Sequence, residues 1–171
     1  AAAGAGRSVD LPAGVRFESG HTDVRLTRGR GQMDQAQRRF TAPESTFPVP
    51  GRLRLAGGPT IKADVVARPR SVDDGAPTVA YVDPSLADEV LKVRGRRRGD
   101  RFHALGMAAP GKLQDFFVGQ HVPRELRDRV PLVVSPKGIV WVAGYRIAEW
   151  AKLKPGEERA LRIELSGIGA I

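Results

Sequence analysis

The amino-acid sequence predicts an α+β fold, mixed but mostly antiparallel, built from β-rich modules with short helices. Three observations carry this. Apolar and polar residues alternate over short segments bounded by Gly- and Pro-rich turns, the pattern of half-buried strands. Helical spacing is confined to short stretches, chiefly 112–120 and 123–128. Neither an internal repeat nor a βαβ alternation is present, which removes solenoids and doubly wound sheets.

The elements follow in chain order. Ala1 to Gly6 lacks the basic leader and apolar core of a secretory signal and reads as the ragged start of a segment cut from a longer protein, or as an unstructured terminus. Val9 and Leu11 precede the Pro12-Ala13-Gly14 turn, Val15 and Phe17 alternate with charged neighbours, and Val24 and Leu26 repeat the pattern after Ser19-Gly20. Residues 28–46 lose all periodicity and are expected to form a long mobile loop. Leu53 and Leu55, the Gly57-Gly58-Pro59 turn, and Ile61, Ala63 and Val65 predict a hairpin with one apolar face. A polar loop over 68–76 leads to a strand at Thr78–Val82. Asp83-Pro84 then offers an N-cap followed by proline at the first helical position, predicting one helical turn through Asp88.

Val90 to Arg94 reads as extended. In Lys112–Gln120, Leu113, Phe116 and Phe117 fall at i, i+3 and i+4 and predict a helix with one aromatic stripe against a core. Pro123–Asp128 predicts a second short helix with Pro123 at N1, on which Glu125 pairs with Arg129 while Arg124 and Arg127 share a face away from Leu126. Pro131–Val134 and Ile139–Ala143 flank Ser135-Pro136-Lys137-Gly138 as a hairpin of largely buried strands. Leu161, Ile163 and Leu165 predict a last strand.

With 171 residues, 41% of them hydrophobic and 27% charged, the chain fits one ordinary domain or two small ones and neither wholesale disorder nor a spanning protein. Its longest apolar run, Ile139–Gly144, is far below the roughly 18 residues of a spanning helix. The absence of cysteine removes disulfides, cysteine-ligated zinc and thiol nucleophiles, and suits a reducing cytoplasm.

The net charge of +9 is unevenly placed. Residues 1–89 hold 12 basic and 11 acidic side chains, a net +1, whereas 90–171 hold 16 and 8, a net +8. This step predicts two modules, a β-rich connecting region over 1–89 and a basic domain over 90–171 that faces a polyanion. Within 90–130 there are 10 bases and 4 acids, most of the bases arginine, the better side chain for bidentate phosphate contacts. A merely solubilising surface is the competing explanation, and an excess this local disfavours it.

No complete catalytic motif accompanies the charge. His21, His103 and His121 lack the close spacing of a helical metal site, so no metal is expected. Asp100 and His103 offer a nominal acid–base pair, yet in an arginine-dense stretch Asp100 reads more simply as a turn or arginine-orienting residue. Gly29-Arg30-Gly31 begins like a dinucleotide fingerprint, but Asp34 stands at the third glycine position. A Gly-x-x-x-x-Gly-Lys-Ser/Thr loop is also lacking.

The strongest feature is Arg94-Gly95-Arg96-Arg97-Arg98-Gly99-Asp100-Arg101-Phe102, whose glycines let the backbone turn between arginines while Phe102, Leu105 and Met107 anchor it. Several guanidinium groups on one compact surface suit the phosphates of structured RNA, recognised by shape and backbone.

That run, with Leu105-Gly106-Met107, Lys112-Leu113-Gln114-Asp115-Phe116-Phe117, Val122-Pro123-Arg124, Arg127-Asp128-Arg129-Val130-Pro131-Leu132 and Val140-Trp141-Val142-Ala143-Gly144-Tyr145-Arg146-Ile147, resembles the C-terminal domain of bacterial tRNA(Ile)-lysidine synthetase over nearly all of 91–165. Val9-Asp10-Leu11-Pro12 and Phe47-Pro48-Val49-Pro50-Gly51 are similar to the connecting region of the same proteins. The resemblance implies a β-sandwich-like α+β C-terminal module that holds and orients tRNA. It implies a parent ligase that uses ATP and Mg to adenylate the wobble cytidine of the CAU-anticodon isoleucine tRNA and then joins lysine to it. That chemistry belongs to an N-terminal domain marked by a Ser-Gly-Gly-x-Asp-Ser loop, which these residues do not contain. No catalytic residue and no cofactor are therefore expected here. The expected phosphate contacts are Arg96, Arg97, Arg98, Arg101 and Lys112, with Arg94, Arg124 and Arg127 as further candidates. The expected partners are tRNA and the N-terminal catalytic domain, with a homodimer left open, no membrane, and a cytoplasmic location. The rival expectation is a protein-interaction module whose basic face docks on an acidic partner domain.

Overall fold

A computed structural model describes residues 7–11, 15–19, 24–28, 44–56, 58–71 and 78–167. The chain divides into two compact units, Ala1–Arg39 and Phe40–Ile171. In the first, β1 (Arg7–Leu11), β2 (Val15–Ser19) and β3 (Val24–Arg28) form an antiparallel sheet in sequential order. Its register sets Val9 opposite Phe17 and Phe17 opposite Leu26, so the three apolar positions of the alternation share one row.

The second unit holds two larger antiparallel sheets. One has five strands in the order β13-β12-β11-β8-β4, formed by β4 (Ser45–Phe47), β8 (Leu91–Arg94), β11 (Leu132–Ser135), β12 (Gly138–Val142) and β13 (Arg146–Ile147). The other has four in the order β5-β6-β14-β7, formed by β5 (Gly51–Arg54), β6 (Thr60–Ala67), β7 (Val79–Val82) and β14 (Arg159–Ser166). Both sheets feed one core, in which Phe47, Leu91, Val93, Leu132 and Trp141 join Ile61, Val82, Leu161 and Ile163. Leu132–Ser135 and Ile139–Val142 are buried at every position, which is why these two strands are continuously apolar instead of alternating.

Compactness and charge divide the chain at different places. The charge step at Glu89 falls inside the second unit, because β4 pairs with β8 and the last strand, β14, lies between β6 and β7. Most of the loop expected over 28–46 lies outside the described residues, but its end is ordered differently: Ser45 and Thr46 belong to β4, opposite Val93 and Lys92. Residues 72–76 of the expected loop at 68–76 also lie outside them.

The Asp83-Pro84 signal is realised as a 3-10 turn over Pro84–Asp88, with Asp83 Oδ1 accepting from the Ser85 N–H at 2.9 Å. Lys154 pairs with the other carboxylate oxygen of the buried Asp83 at 2.7 Å. The aromatic stripe forms α1 (Leu113–Gly119), with Leu113, Phe116 and Phe117 buried. Phe116 packs edge-on to Phe102 at 5.0 Å between ring centroids and to Tyr145 at 6.5 Å. The second helix is corrected in kind: Arg124–Arg129 is 3-10, and Pro123 is its N-cap, not its first residue. At three residues per turn, i and i+4 no longer face each other, and among the described residues no Glu125–Arg129 ion pair forms. No helix among the described residues is long and apolar enough to cross a membrane.

Candidate nucleic-acid interface

The site starts where β8 ends. Arg94 is the last residue of β8, and the chain returns in a two-stranded ribbon of β9 (Arg101–Phe102) and β10 (Gly111–Lys112). Between β8 and β9, residues 95–100 are tied by one carboxylate. Asp100 accepts two bonds from the Arg94 guanidinium, at 2.8 and 2.9 Å, and a third from the Arg97 backbone N–H at 2.7 Å. Burial pushes the Asp100 pKa up, but the Arg94 and Arg97 bonds outweigh it and hold the carboxyl below its ordinary value. Gly99 closes the turn at φ +91°, in the left-handed region that only glycine enters freely. Asp100 thus orients arginines, as its type and setting predict.

Around this brace the arginines diverge. Arg96 donates from Nε to Asp128 at 2.5 Å and from its guanidinium to Gln114 Oε1 at 2.7 Å. Arg97 reaches the other way, to Glu44 at 2.5 Å. Arg98 is exposed with no partner among the described residues. Arg101 donates to the Pro110 carbonyl at 3.1 Å. Lys112 is Arg101's cross-strand partner in the β9–β10 ribbon, so two cations stand side by side, an arrangement that costs energy unless an anion offsets it.

Arg96, Arg97, Arg98, Arg101 and Lys112 line a single cleft of about 580 Å³ whose only carboxylates are Asp100 and Asp128. Asp128 is paired with Arg96, Asp100 with Arg94 and Glu44 with Arg97, which leaves Arg98, Arg101 and Lys112 as the positive excess of the cleft. The other predicted residues lie elsewhere. Arg94 is held within the brace with its side chain only 12% exposed. Arg124 and Arg127 sit on the 3-10 helix and do not line the cleft; Arg127 donates to the Val122 carbonyl at 2.9 Å, and Arg124 is exposed.

Sequence reasoning missed three contributors. Asp128 and Gln114 orient Arg96 from 32 and 18 residues away, and Glu44 holds Arg97 from 53 residues away. No local pattern announces such pairs. The nominal Asp100–His103 acid–base pair does not form: Asp100 is committed to Arg94 and Arg97, while His103 Nε2 lies 2.6 Å from the Met107 carbonyl.

Comparison with known proteins is consistent in kind and in position. The family model described as the TilS substrate C-terminal domain matches residues 91–165. A tRNA(Ile)-lysidine synthase from Dehalococcoides mccartyi is 33% identical over 171 residues, covering 96% of this chain and 35% of that protein. The enzyme of the same name from Geobacter sulfurreducens is 30% identical over 85% of this chain and 31% of its own length. That from Caldanaerobacter subterraneus is 38% identical over 68% of this chain and 25% of its own. The chain therefore spans about a third or less of these relatives. A crystal structure of a TilS C-terminal domain superimposes with a TM-score of 0.62 at 27% identity, covering 75% of this chain and all of that one.

Proposed function

This chain belongs to the tRNA(Ile)-lysidine synthase family through a TilS substrate C-terminal domain at residues 91–165, and from that premise we propose that its arginine cleft holds tRNA by the phosphate backbone. The observation that carries the reading is the convergence of Arg96, Arg97, Arg98, Arg101 and Lys112 on one cleft, with Arg101 and Lys112 adjacent and neither paired with a carboxylate among the described residues. Arg98 and Lys112 supply the most available charge. Arg96 is oriented by Asp128, Arg97 is paired with Glu44, and Arg94 acts as a positioning residue that shapes the loop through Asp100. Arg124 and Arg127 make outlying contacts if the RNA extends past the cleft.

In this reading the domain orients its substrate and performs no bond chemistry. ATP, Mg and the ligation of lysine to the wobble cytidine belong to a catalytic domain of the parent protein, which is the domain's intramolecular partner in the cytoplasm. The rival reading, a basic face for an acidic protein domain, gains nothing from the three relatives above, each a tRNA(Ile)-lysidine synthase.

The test is titration of the 171-residue chain with tRNA across salt concentrations. Engagement of about five phosphates gives a log–log slope of about −3 to −5. A salt-independent affinity, or no binding at low salt, overturns the reading.

A further inference from the structure

Glu44 bridges two cations at the base of the arginine loop. Its Oε1 accepts from Lys92 Nζ and its Oε2 from the Arg97 guanidinium, both at 2.5 Å. The geometry is fixed by the sheet: Glu44 immediately precedes β4, β4 pairs with β8 with Thr46 opposite Lys92, and β8 runs into the loop that carries Arg97. A carboxylate with each oxygen on a separate cation occupies the place that two oxygens of a phosphodiester take on a pair of basic side chains. Those two ion pairs also hold its carboxyl below its ordinary value.

We infer that Glu44 is an internal stand-in for an RNA phosphate, which a bound tRNA displaces from Arg97 and Lys92. This rests on the tRNA reading of the cleft and adds a role to it. While the clasp is closed, Glu44, Lys92 and Arg97 together carry a net +1, and Arg97 meets a polyanion only by giving up an existing ion pair. Loose encounters with arbitrary phosphates seldom repay that exchange, whereas a well-fitted backbone that also engages Arg98 and Lys112 does. Glu44 thereby sets selectivity for shape by taxing weak binding, a use of charge against wrong partners instead of for the right one. The pairs are solvent-accessible, with Arg97's side chain 60% and Glu44's 32% exposed, so the exchange needs no unfolding.

The experiment compares the 171-residue chain with its Glu44→Gln variant for binding to a tRNA transcript and to inorganic polyphosphate, by fluorescence anisotropy across salt. The variant should bind both probes about 3–10-fold more tightly at moderate salt, with a salt slope steeper by about one and a larger relative gain on polyphosphate. In an Arg97→Ala background the same substitution should gain less than half as much, because the released cation is then missing. Unchanged or weaker binding of both probes by Glu44→Gln overturns the inference and leaves the tRNA reading intact. If wild type fails to bind tRNA while the variant gains on polyphosphate, the tRNA reading falls and the clasp stands.

Discussion

Arg94, at the end of β8, and Arg98, in the loop that follows, are the same amino acid four residues apart, and they do different work. The first is 12% exposed, doubly bonded to a carboxylate and committed to holding the loop's shape. The second is exposed with no partner among the described residues. A guanidinium count therefore overstates what a ligand meets. Part of the charge builds the surface, and only the remainder is presented on it.

The largest effects should come from the building side. Phe116→Ala, which removes the ring packed on Phe102 and Tyr145, should cost about 3–5 kcal/mol in urea unfolding. Asp100→Ala strands the Arg94 guanidinium, whose side chain is only 12% exposed, and should cost about 1–3 kcal/mol, with tRNA binding lost as a consequence of a misshapen loop. If the Asp100 variant keeps both stability and affinity, the division between building and presented charge collapses.

On the presented side, Arg98→Glu with Lys112→Glu should leave the unfolding midpoint within about 0.5 kcal/mol of wild type. The same variant should weaken tRNA binding about 10–100-fold, since two phosphate contacts become repulsions. A loss of stability without loss of affinity would reverse the assignment.

Smaller effects concern the frame. Asp83→Ala removes an N-cap and should cost about 1 kcal/mol without altering tRNA affinity, which separates cap from cleft. Its pH dependence has a definite sign. Burial raises the Asp83 pKa, but Lys154 and Ser85 outweigh it, and the net value lies below the ordinary 3.8; Asp100 is likewise depressed. Each carboxylate then contributes its full stability above the unfolded value and loses it as pH falls through the lower folded one. The melting temperature should be flat in this respect above about pH 5 and drop below about pH 4, with a shallower drop in Asp83→Asn.

How much of this was legible follows from the range over which each signal acts. Leu161, Ile163 and Leu165 announced β14 by alternation, Leu113, Phe116 and Phe117 announced α1 by spacing, and Asp83-Pro84 announced its turn, because each is a contiguous pattern. The two- and three-residue strands β4, β9, β10 and β13 were not legible, since a period cannot be read from so few positions. In the site, residue type and glycine placement singled out the loop, and five of the eight predicted cations line the cleft. Which arginines are spent on structure was not legible, because that depends on Glu44, Asp128 and Gln114, brought in by the sheets from distant segments.

The position of β14 between β6 and β7 bears on how the protein is made. Thr60 pairs with Arg54 within the hairpin, but its β14 partner, Ser166, comes 106 residues later, so the four-stranded sheet cannot close until Ser166 has been made. Such distant pairing is the slow kind, since a long loop is closed before any contact repays it. The hairpin of β5 and β6 waits meanwhile with an unfilled edge beside apolar Ile61 and Ala63, a species prone to misassociation at raised temperature or expression. The stretch matched by the family model, 91–165, carries β14 as far as Leu165 but neither of its neighbours β6 and β7, so the boundary of that match cuts through the four-stranded sheet.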